Sequence, residues 1–183
     1  MSLRSALSLA FVFLSLLLFP HRALAQDDHS LSQAEIEQLR DAAYYPQQRV
    51  ELFIKLLDER VKAIQDLYAH PRKPGREQDT HDLINQFNSI ANELEDNLDD
   101  YSTDHRDIRK ALPKLLEATE RWSSAIKSPP DNEAYNVSRK LALQTISDVH
   151  DDATELVQKQ KAWFKDHPPP KEPKNGGAID IPR

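Results

Sequence analysis

The chain has 183 residues, 24 Lys/Arg against 30 Asp/Glu for a net charge of −6, 39% hydrophobic residues and no cysteine. No basic stripe offsets the acidic balance, which argues against nucleic acid or anionic lipid as a partner. The missing cysteine rules out disulfides, a cysteine nucleophile and covalent haem attachment through C-x-x-C-H.

The N-terminus reads as a secretory signal peptide over residues 1–25. Arg4 supplies a short positive region, and residues 5–19 carry no charge. Fifteen apolar residues fall short of the ~20 that span a bilayer as a helix. Pro20 breaks the run, and Ala23-Leu24-Ala25 gives an A-x-A site with cleavage expected after Ala25. No cysteine follows, so no lipoprotein anchor is expected, and no second long apolar segment follows either. Processing removes Arg4 and Arg22, leaving 22 basic against 30 acidic residues, a net charge of −8. The expected location is periplasmic or extracellular.

Residues 26–166 read as one all-α domain. Only three glycines occur, while Leu, Ala, Gln, Glu and Lys are abundant, and no stretch alternates with period two. Ser32-Gln33-Ala34-Glu35 is a capping box that opens a short helix, about 33–44, with Ile36, Leu39 and Ala43 inward. Pro46 starts a second helix, where its missing N–H costs nothing, and the helix runs to about Ala69. Val50, Ile54, Leu57, Val61, Ile64 and Tyr68 repeat at three and four to form its apolar seam. HPRKPG, residues 70–75, ends it.

Asp79 or Thr80 is expected to cap a third helix, about 80–100, with Leu83, Phe87, Ile90, Leu94, Leu98 and Tyr101 inward. A fourth segment, about 104–127, carries Ile108, Leu112, Leu115, Thr119, Trp122 and Ile126. Pro113 lies inside it. The seam passes the proline in phase, which predicts a kink rather than a new helix. Asp131 is the expected cap of the last helix, about 132–165, where Tyr135, Ala142, Val149, Leu156 and Trp163 recur every seven residues. Ile146, Ala153 and Gln160 sit beside them. Residues 167–183 hold five prolines and two glycines and read as a disordered Pro-rich tail.

Short connections place sequential helices antiparallel. The predicted fold is therefore an antiparallel up-down four-helix bundle with a short extra N-terminal helix. A coiled-coil hairpin dimerising through the last helix is the competing arrangement; the width of the seams favours the bundle.

The densest chemistry is NELEDNLDDYSTDHRD, residues 92–107, with Glu93, Glu95, Asp96, Asp99, Asp100, Asp104, His105 and Asp107. A calcium loop needs glycine at its sixth position and glutamate at its twelfth. Counting from Asp100 gives His105 and Ala111; counting from Asp96 gives Tyr101 and Asp107, so neither register fits. Acids crowded at a helix C-terminus repel the dipole and one another, and a cation relieves both. Asp96, Asp99, Asp100, Asp104, His105 and His150 are therefore the candidate ligands for weak divalent binding, set against a merely solvated acidic face. His150, in DVHDDATE, lies at the seam edge, and an ordinary hydrogen bond is its simpler reading.

Neither Glu-x-x-His pairs nor HExxH occur, and the single methionine, Met1, leaves with the signal. There is no G-x-S-x-G and no glycine-rich phosphate loop. No catalytic residue and no cofactor is expected. Trp122 and Trp163 occupy seam positions and read as core. KLLEATERW (114–122), PPDNEAYNVSRKLAL (129–143) and ISDVHDDATELV (146–157) resemble secreted all-helical proteins of Gram-negative bacteria to which no activity is assigned. That resemblance implies location and fold, not a site. The functional expectation is a non-enzymatic binding or envelope-maintenance module with a protein partner in the cell envelope. The alternative is a metal-storing or metal-sensing bundle using residues 93–107.

Overall fold

The computed structural model describes residues 30–168. The expected signal peptide, and residues 169–183 of the expected tail, lie outside that range. The described residues form α1 (Gln33–Asp41), a 3-10 turn (Ala42–Tyr44), α2 (Pro46–Ala69), α3 (Arg76–Thr103), α4 (Leu112–Lys127) and α5 (Asn136–Asp166). No strand occurs among them. The five α-helices pack together around one apolar interior.

The capping box of α1 forms as read: the Ser32 amide donates to Glu35 at 2.6 Å, and the Glu35 amide donates back to the Ser32 hydroxyl at 3.4 Å. Ile36, expected inward, is instead 40% exposed. Within α1 only Leu39 is buried, and Leu31, just ahead of the Ser32 cap, supplies the second apolar anchor in place of Ile36. The helix is then pinned by Arg60 of α2. Its guanidinium donates to both Glu35 oxygens at 2.7 and 3.0 Å, to the Ser30 carbonyl at 3.0 Å and to Gln86 of α3 at 3.1 Å.

α2 starts at Pro46 and ends at Ala69, as the sequence predicts. Phe53 and Leu56 join its buried seam, because the helix meets both α3 and α4 and needs a wider apolar face. α3 begins four residues before the expected start. Gly75 takes a left-handed φ of 86°, which lets the chain turn directly into a helix at Arg76. Thr80 is no cap: it is fully buried inside the helix, and its hydroxyl donates to the Arg76 carbonyl at 2.8 Å. Asp79 sits in the first turn, where its charge suits the dipole.

The fourth segment corrects two further expectations. Residues 104–111 are not α-helix, and α4 begins at Leu112 with Pro113 in its first turn. The proline starts a helix rather than kinking one, because its missing N–H is free of cost there. Ile108 and Leu112 mimic helical spacing, yet Ile108 is held by a tertiary contact: its amide donates to the Gln160 side chain of α5 at 3.0 Å. Asp131 does not cap α5. The helix starts at Asn136, and Asp131 pairs with Arg139 while Asn132 and Asn136 organise the preceding turn.

The long helices close a ring in which α2 packs on α3, α3 on α5, α5 on α4 and α4 on α2. Side-chain partners give their directions. Arg49–Glu93, Arg60–Gln86 and Tyr68–Thr80 pair α2 with α3 in opposite senses. Glu51–Lys114 and Asp58–Arg121, each seven residues on, pair α2 with α4 in the same sense. α3 and α4, though consecutive, are not side by side. They meet across the interior, where Phe87 and Trp122 pack edge to face at 5.7 Å and 78°. Trp122 is fully buried, and its indole N–H still finds Asp58 at 2.7 Å.

Candidate functional site

The six proposed metal ligands do not come together. Asp96, Asp99, Asp100 and Asp104 are all exposed along the C-terminal half of α3 and at its cap. His105 sits in the turn after α3, and His150 projects from α5 toward α4 rather than toward α3. Among the described residues no three His, Asp or Glu side chains are grouped as a cation would need. The spacing that crowds acids along one stretch of α3 also spreads them around its outer face.

Acids of α3 and α5 do act on one another electrostatically, without forming such a group. Burial raises the Glu95 carboxyl above its usual range, and Asp148, Asp152, Asp99 and Asp96 push it further. Asp152 is raised by burial in the same way, then by Asp99, Glu155, Asp148 and Asp151. Asp152 stands beside His150 in DVHDDATE, whereas Asp148 is no candidate in the sequence. Their one signal is the four-residue spacing that puts both on the α3-facing edge of the α5 seam.

Two concave regions border α5. The first lies at its C-terminal end and has a volume of about 450 Å³. Trp163, predicted as core, is 36% exposed here and is sandwiched by two imidazoles. His105 stacks on one face at 3.6 Å and His167 on the other at 4.0 Å. With both indole faces covered, the ring has no free face for a flat ligand. The stack instead ties the α3–α4 connection to the end of α5.

The second region is a groove of about 770 Å³ between α4 and α5. Its N-terminal end, in α4 numbering, holds Glu120 and His150; its middle holds Ser123, Ser124 and Ser147; its far end holds Lys127 beside Leu143. Small hydroxyl residues on both helices keep the groove open where larger side chains would close it. The hydrogen bonds fix the histidine tautomer. The Thr119 hydroxyl donates its single proton to the Leu116 carbonyl at 2.8 Å, so at 3.0 Å it accepts from His150 Nδ1–H. Neutral His150 therefore keeps Nε2 as an acceptor. Thr119, with its proton committed to a carbonyl, is not set up as a nucleophile activated by His150.

Glu120, Ser123, Ser124, Lys127 and Ser147 make no side-chain hydrogen bond or ion pair among the described residues. Lys114 and Arg121, elsewhere on the same helix, are both paired with acids of α2. The sequence carried only a faint sign of this groove, the serines lying between Trp122 and Ile126 and next to Ile146.

No family model, curated protein or solved structure matches this chain.

Proposed function

We propose that the protein is a secreted, non-enzymatic binding module whose ligand site is the α4–α5 groove. α2–α5 serve as a four-helix bundle, with α1 as a strap, and the bundle holds that groove open. The observation that carries this reading is the polar lining of the groove, which the fold leaves without partners. Groups that a fold does not use internally are available to a second molecule. Export rests on the signal-like segment ending at Ala25, and N-terminal sequencing of the exported protein beginning at Gln26 is its direct test. For the groove, a photo-crosslinker at Ser124 is compared with one at Lys62 on the exposed face of α2, in periplasmic extract. Specific adducts from position 124 alone support the reading. Equal labelling from both positions, or none from either, removes it.

A further inference from the structure

The α4–α5 groove is polarised from end to end. Glu120 and His150 share one end, since His150 touches Thr119, the neighbour of Glu120. Lys127 stands at the other end. Seven residues separate the two charges on α4, which places them about 10.5 Å apart along the axis. Hydroxyls line the space between, and Leu143 and Ile146 give it an apolar wall. Neither charge has an internal partner among the described residues.

Resting on the reading of this groove as the ligand site, we propose that its ligand is a short peptide with free termini. Its ammonium lies at Glu120 and His150, and its carboxylate lies at Lys127. Each residue of an extended chain spans ~3.3–3.6 Å, so three residues match the charge separation. The serine hydroxyls can donate to peptide carbonyls and accept from peptide amides, whichever way the backbone faces. Small aliphatic side chains fit against Leu143 and Ile146. A neutral glycan would use the hydroxyls but leave both charges unanswered, and a simple anion would answer Lys127 alone.

The test is a titration of the isotopically labelled full chain, followed by NMR amide shifts, with three probes: trialanine, N-acetyl-trialanine amide and maltotriose. Trialanine is expected to shift amides within 119–127 and 143–150, and the doubly blocked peptide is not. Glu120→Gln and Lys127→Gln each weaken trialanine binding about two- to fivefold, the range for a solvent-exposed ion pair. Both residues are exposed, so the variants retain the fold, which circular dichroism verifies. Equal binding of the blocked peptide overturns the termini assignment. Maltotriose alone shifting the groove overturns the peptide while leaving the groove as a ligand site. No groove shifts with any probe overturns the peptide; if position 124 still crosslinks specifically in extract, the groove itself survives as a site for something larger.

Discussion

Gln160 and Ile108 are joined across 52 residues of sequence by a buried hydrogen bond of 3.0 Å, from the Ile108 amide to the glutamine carbonyl oxygen. The same side chain donates from its amide nitrogen to the Arg106 carbonyl at 2.8 Å. One buried glutamine thus satisfies both a donor and an acceptor of the connection between α3 and α4. Gln160→Leu keeps the size and strands two backbone groups. Leaving a buried group unsatisfied costs about 1–3 kcal/mol, so a loss of about 2 kcal/mol in urea unfolding is expected. Gln160→Glu keeps the acceptor but loses the donor and introduces a charge, and it is also expected to destabilise at pH 7. A leucine variant as stable as the parent would mean that the connection does not depend on this contact.

Arg60 sets a second expectation, for acid. Its hydrogen bonds to Glu35 are the largest cause holding that carboxyl down to about 2, against an ordinary 4.5. The folded state therefore binds this proton less readily than the unfolded chain. The stabilisation is complete above the unfolded value and is lost as pH falls from about 5 toward 2. Glu35→Gln removes it at every pH. The parent is expected to exceed the variant in urea midpoint at pH 7, with the gap closing by pH 2. A gap that persists unchanged at pH 2 would show that packing, not charge, separates the two proteins.

Glu95 and Asp152 have the opposite sign. Their carboxyls are raised in the folded state, so folding favours their protonated forms. They contribute stability at low pH that disappears as pH rises through their folded values. Neutralising either residue should therefore stabilise the protein at neutral pH, by about 0.2–0.5 kcal/mol for each like-charge contact removed. Thermal unfolding of Asp152→Asn at pH 7 and pH 4 measures this. The gain is expected at pH 7 and diminished at pH 4.

The two prolines that open helices mark what the sequence could and could not convey. Pro46 is legible as a helix start because its missing N–H costs nothing there and a new apolar seam begins at Val50. Pro113 is not, because Ile108 lies four residues before Leu112 and mimics a helical turn. What holds Ile108 in place is Gln160, 52 residues away, and no local pattern reports such a contact. The caps at Thr80 and Asp131 failed in a related way: side chains suited to a helix start were used instead for burial and for an ion pair. Most of the apolar seam positions are buried, because a period of 3.6 is written in every turn; Ile36 and Trp163, at the ends of the bundle, are the exposed exceptions. The bond between His150 and Thr119 agrees with its simpler reading as a boundary histidine. The groove itself was not visible, since it arises where serines of two helices face each other.

His105 offers a last expectation in which two effects oppose. It occupies the left-handed region at φ 51°, directly after α3, where the Arg106 amide bonds back to the Tyr101 carbonyl at 3.0 Å. That conformation costs a non-glycine residue roughly 1–2 kcal/mol. The imidazole stack on Trp163 returns about 0.5–1.5 kcal/mol. His105→Gly removes both terms and should leave stability nearly unchanged. His105→Ala keeps the backbone cost but loses the stack, so it should fall below the glycine variant by about 1 kcal/mol in urea unfolding. Both variants uncover one face of Trp163, and its emission should change alike in the two, while that of fully buried Trp122 stays constant. Alanine and glycine variants of equal stability would mean that the backbone at this position relaxes once the ring is gone. The turn would then be held in its left-handed form by the stack and not by the six-residue bond that closes α3.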